Sequence, residues 1–181
     1  MRKKNGFTLI ELLTVVAIIG LLASIVLVSL DSARKRSRDV RRISDMKQIQ
    51  IALELYFNEN GRYPGTVMSY NESNASCGGW DISKADEDSD GRPFIEPLLD
   101  GGFMPTVPVE PNDNFDNCGN YAYYLYGAGG ESCSVARGDF YVLGVRNMEG
   151  SGNPHPTSPG WSCPGRNWQD EFEWVTGGFT K

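Results

Sequence analysis

Residues 4–13 read Lys4-Asn5-Gly6-Phe7-Thr8-Leu9-Ile10-Glu11-Leu12-Leu13, and an apolar run follows to Leu30. A short basic leader ends at a glycine, and a hydrophobic segment begins at once. From Phe7 to Leu30 the chain has 24 residues, no proline and one charge, Glu11. At about 1.5 Å per residue they make a helix of roughly 36 Å, enough to cross a hydrocarbon core of about 30 Å with some tilt. The run is longer than the h-region of a cleaved signal peptide, about 7–15 residues. Ala23-Ser24-Ile25 is also a poor match to such a cleavage site. A plain membrane anchor leaves Glu11 without a purpose. A carboxylate in the bilayer costs at least ~2.5–3.5 kcal/mol, so it marks a functional position.

Beyond Leu30 the helical pattern continues through Arg34, Lys35, Arg36, Arg38, Arg41 and Arg42. Ile43, Met46, Ile49, Leu53 and Tyr56 or Phe57 recur at three- and four-residue steps and form one apolar face. Gly61 supplies a C-terminal cap, with Pro64 beyond it. A single helix from Phe7 to Asn60 is therefore expected, roughly 80 Å long. Its first half has no soluble partner, and its second half has one face to pack on a domain. The basic cluster has two readings: a solvated face with Asp31, Asp39 and Asp45 interleaved, or a patch for anionic lipid or nucleic acid. The solvated face is preferred.

The net charge of −6 is unevenly spread. Residues 61–181 hold seven basic and seventeen acidic residues, a net of −10, which disfavours nucleic acid as a partner there. All four cysteines, Cys77, Cys118, Cys133 and Cys163, lie in that region, and none forms a C-x-x-C pair. Two disulfides are expected rather than a zinc site, which places the region in an oxidising compartment. Cys118 and Cys133 flank a Tyr-rich stretch and a glycine turn, so the expected pairing is Cys118–Cys133 with Cys77–Cys163. A positive-inside count points the other way, because six basic residues follow the apolar run and three precede it.

Strands are expected at Tyr121–Tyr126 and Asp139–Arg146, with a weaker third at Glu171–Val175. They suit a small antiparallel sheet covering the amphipathic half of the helix, an α+β architecture. Asp86, Asp88 and Asp90 alternate before Gly91, a pattern that suits a hard cation such as calcium, with Glu96 a further candidate ligand. An EF-hand needs Glu at the twelfth place, where Pro97 stands. Glu110-Pro111-Asn112-Asp113-Asn114-Phe115-Asp116 is a weaker second candidate. His155 sits between prolines without a nucleophile in a recognisable context, and no P-loop, Rossmann or G-x-S-x-G pattern occurs. No enzyme is expected.

Gly6-Phe7-Thr8-Leu9-Ile10-Glu11-Leu12-Leu13 resembles the processing motif of bacterial type IV pilins and of the pseudopilins of type II secretion. The stretch from Tyr56 to Pro64 is similar to the same family. The resemblance implies cleavage between Gly6 and Phe7 by a membrane prepilin peptidase and N-methylation of Phe7. It implies pairing of the new Phe7 amine with Glu11 of a neighbouring copy, which relieves two charges at membrane depth. The implied organisation is a leader at 1–6, a long helix at 7–60 and an extracytoplasmic β domain at 61–181. Residues 7–30 are the membrane and assembly part of that helix, and 31–60 the amphipathic part. Single-pass anchoring in the cytoplasmic membrane is implied, with the N-terminus inside and the C-terminal domain outside. The implied partners are copies of the chain, other pilins, the peptidase and an inner-membrane assembly platform. A pilus subunit is the first expectation, and a calcium-binding pseudopilin the second. A monomeric membrane-anchored binding domain is the reading from another class.

Overall fold

A computed structural model describes residues 6–65, 78–83, 94–112, 120–150 and 152–181. Helix α1 runs unbroken over Leu9–Asn60, 52 residues, or about 78 Å. It begins two residues later than expected because Thr8 is its N-cap, in extended conformation. It ends where Gly61 turns left-handed (φ 68°) and its N–H donates to the Phe57 carbonyl at 2.8 Å. From Phe7 to Leu30 the described apolar side chains stand exposed, Leu9 at 82% and Leu27 at 66%. Met46, Ile49 and Leu53 are fully buried, with Ile43, Tyr56 and Phe57 partly so, as their spacing predicts.

Four antiparallel strands cover that half of α1. They are β1 (Asp81–Ile82), β2 (Tyr121–Tyr126), β3 (Phe140–Val145) and, skipping a hairpin, β6 (Trp174–Phe179), in the order β1-β2-β3-β6. A five-residue helix, α2 (Glu96–Asp100), packs against the end of α1. The hairpin of β4 (Ser162–Cys163) and β5 (Arg166–Asn167) forms a separate two-stranded sheet. Register places Tyr123 opposite Leu143 and Leu143 opposite Thr176. Alternation then sends Tyr121, Tyr123, Tyr141, Leu143 and Val145 toward the helix. Ala122, Phe140 and Val142 face a second cluster built on Trp80, Trp168 and Phe172. Both sheet faces are therefore covered, and the tyrosines of β2 serve packing.

Three expectations are corrected. The third long strand lies at Trp174–Phe179, later than Glu171–Val175, and accommodates Gly177 and Gly178. A Cβ on Gly177 would run into the Trp161 ring, and one on Gly178 into Tyr141, so ring packing decides these two positions. Glycine-rich 127–130 is not a tight turn; it opens a loop with two short 3-10 turns before β3. Finally, Cys133 is bonded to Cys163, which excludes both expected pairings, Cys118–Cys133 and Cys77–Cys163. The β4–β5 hairpin folds onto that loop, where the Gly165 N–H donates to the Glu131 carbonyl at 2.8 Å. This brings the Cys133 and Cys163 Cα atoms to 5.0 Å, inside the range a disulfide spans. Cys77 and Cys118 lie outside the described residues.

Candidate assembly site

Thr8, Leu9, Ile10 and Glu11 form an S/T-x-x-E capping box at the start of the exposed helix. The Glu11 N–H donates to Thr8 Oγ1 at 3.3 Å. Glu11 Oε2 accepts from the Thr8 N–H at 2.8 Å and from the Thr8 hydroxyl at 2.6 Å. Glu11 Oε1 has no hydrogen-bond partner among the described residues. One carboxylate oxygen thus closes the helix end, and the other is available to a cation from outside. Phe7 lies just before the cap, 87% exposed, and Gly6 has open space where a side chain would stand. Further along, the Thr14 and Ser24 hydroxyls donate to the carbonyls of Glu11 (3.0 Å) and Leu21 (2.7 Å). The Thr14 and Ser24 hydroxyls are thereby satisfied within the helix, as apolar surroundings require.

A buried ionic clamp fixes α1 on the domain. Arg42 is fully buried. Its Nη1 donates to Asp39 Oδ1 at 2.7 Å and its Nη2 to Glu149 Oε1 at 2.7 Å. Its Nε donates to both oxygens of Glu110, at 3.0 and 3.1 Å. Arg38 grips Glu149 with Nε at 2.7 Å and with Nη2. Asp39 in turn accepts the N–H groups of Glu149 (2.8 Å) and Gly150 (2.7 Å), and Asn120 donates to Glu110 at 2.7 Å. Burial works against the Arg42 charge, but hydrogen bonds to Glu110 and Glu149 outweigh it and raise the pKa. The Arg38 hydrogen bonds hold the Glu149 carboxyl at about 2. Close by, burial pushes the Asp45 carboxyl up, although it accepts from the Tyr121 hydroxyl at 2.9 Å. The basic cluster is therefore divided: Arg34, Arg36 and Arg41 are solvated as expected, while Arg38 and Arg42 turn inward. Arg42 falls in phase with Met46, Ile49 and Leu53, which was the signal for its burial.

Of the candidate cation ligands, Asp86, Asp88 and Asp90 lie outside the described residues, and Glu96 opens α2, half-buried. Glu110 is committed to Arg42 and Asn120, which removes it from the second candidate run. The His155 ring is taken up in a local turn, accepting the Thr157 N–H at 3.1 Å.

A long helix, bare and apolar in its first half and seated on a small antiparallel sheet in its second, defines a pilin-like filament subunit. Residues 1–27 match the family described as the prokaryotic N-terminal methylation motif. The chain is 36% identical over 111 residues to the type II secretion system core protein G of Klebsiella pneumoniae, covering 61% of this chain and 71% of that protein. Against the protein of the same name from Pseudomonas aeruginosa it is 27% identical over 160 residues, covering 88% and 96%. Against that of Vibrio cholerae it is 27% identical over 150 residues, covering 83% and 86%. No solved structure matches it. The chain belongs to the family of type II secretion system core protein G, a family of structural subunits.

Proposed function

We propose that this chain is the filament-forming pseudopilin of a type II secretion apparatus. On this reading the leader is removed after Gly6, and the Phe7 amine is methylated. The apolar half of α1 waits in the inner membrane with the β domain outside. Copies then assemble on an inner-membrane platform, each Phe7 amine meeting the Glu11 carboxylate of its neighbour. The observation that carries this is the bare apolar half-helix opening on a carboxylate with one oxygen unused. Its similarity to the secretion proteins over most of their length favours the secretion apparatus over a pilus. Mass spectrometry of the mature chain checks the first step. The expected N-terminus is methyl-Phe7; one near Ala23 would establish an ordinary signal peptide and end this reading.

The proposal extends to a divalent cation, calcium, bound through Asp86, Asp88 and Asp90. The supporting observation lies at the ends of that segment. Asp81 accepts the Ile95 N–H at 2.9 Å, so the chain before and after the acidic run is tied together. Ile95 is held there at φ 47°, a left-handed conformation that a β-branched residue rarely adopts. Closed ends lower the entropy cost of gathering three carboxylates around an ion. Millimolar calcium should raise the melting temperature of the full chain over that in chelator, and Asp88→Ala should abolish the rise. An unmoved wild-type melting curve would show that the acidic run is only solvated.

A further inference from the structure

The far end of α1 carries an acidic cup that no described residue fills. Tyr56, Glu59, Asn60, Pro97, Asp100 and Phe103 line a cavity of about 360 Å³ between α1 and α2. Its aromatic wall is Tyr56 against Phe103, edge to face with centroids 5.2 Å apart. Glu59 and Asp100 are exposed and have no ion-pair or hydrogen-bond partner among the described residues. The cup also sits at the negative end of a 52-residue helix whose last turn holds no basic residue. Two carboxylates, a helix C-terminus and two ring faces together favour a cation, and an arginine more than a lysine, because a guanidinium also stacks on rings.

The same helix carries the complement. Arg34 and Arg36 are exposed and have no partner among the described residues, whereas Lys35 pairs with Asp31 at 2.9 Å and Arg41 reaches Asp45 at 3.8 Å. Arg36 and Glu59 are 23 residues apart, so roughly 35 Å along α1 separates them and one copy cannot join them. We propose that the cup receives Arg36 of a second copy, advanced by about 35 Å along a shared helix direction; Arg34, two residues away, projects to the other side of the helix. This inference rests on the filament reading and names a contact within it. It also gives Arg36 a carboxylate partner once it leaves the membrane surface, which otherwise supplies anionic headgroups six residues past Leu30.

The test uses the full chain, the prepilin peptidase and the assembly machinery, with sheared filament as the readout. Arg36→Glu should cut filament yield about tenfold, and Glu59→Arg with Asp100→Arg should do the same, whereas Arg34→Glu should leave it near wild type. Joining the Arg36, Glu59 and Asp100 changes should return it to within about twofold of wild type, the signature of a direct pair in a mutant cycle. Melting curves of every variant should match wild type, because all these side chains are exposed. No recovery in the combined variant overturns the contact. Normal assembly of the Glu59/Asp100 variant, with the Arg36 variant released from membranes, assigns Arg36 to lipid and also overturns it. If wild type gives no sheared filament at all, the filament reading fails and the contact falls with it.

Discussion

On the proposed reading Glu11 performs two tasks with one side chain. Oε2 closes the capping box on Thr8, and Oε1, without a partner among the described residues, would meet a neighbour. Substituting Ala removes a charge from the bilayer, so Glu11→Ala should insert at least as well as wild type. Assembly should suffer instead, because the Phe7 amine of the adjoining copy loses its counter-charge. Breaking a buried pair costs about 3–5 kcal/mol, enough to reduce filament to a trace. Membrane fractionation and shearing of the mutant measure both effects. Wild-type filament yield from Glu11→Ala would show that the carboxylate serves only its own helix.

The clamp joins three segments far apart in sequence, Arg38 and Arg42 in the middle of α1, Glu110 in the segment before β2 and Glu149 in the loop after β3. Glu149 makes the clamp acid-sensitive, because its folded pKa of about 2 lies below its ordinary 4.5. A depressed carboxylate stabilises the fold fully above its ordinary value, and that contribution is lost as pH falls from about 4.5 toward 2. Glu149→Gln should therefore cost about 1.5–3 kcal/mol near neutrality and flatten the decline in stability over that acid range. Urea midpoints of the full chain in detergent, taken across pH, measure this; an unchanged acid slope would remove Glu149 from the clamp. These elements differ in how far the sequence revealed them. The face of α1 and strands β2 and β3 were legible because each follows a local period. The Thr8 cap is encoded locally too, as S/T-x-x-E, and it sets the helix start at Leu9 rather than Phe7. The Cys133–Cys163 bond, the short strand β1 and the two glycines of β6 depend on what the chain meets after folding. No local pattern encodes those contacts.

Taken whole, the molecule is two surfaces joined by one helix. Its N-terminal half exposes Leu9, Ile10, Leu12, Leu13 and the apolar residues that follow, which only lipid or other copies can cover. Its C-terminal half is built into a domain with a net charge of −10 from residue 61 onward. A monomeric anchored domain would use that helix only to stay in the membrane. A filament subunit must exchange lipid for neighbours once the leader is gone. The deciding measurement is expression of the full chain with the assembly machinery, with and without the prepilin peptidase, followed by shearing and electron microscopy. Filaments that contain this chain, only where the peptidase is present, are the expected result. A chain that is cleaved after Gly6 but stays in the membrane as monomers would contradict assembly through the N-terminal helix.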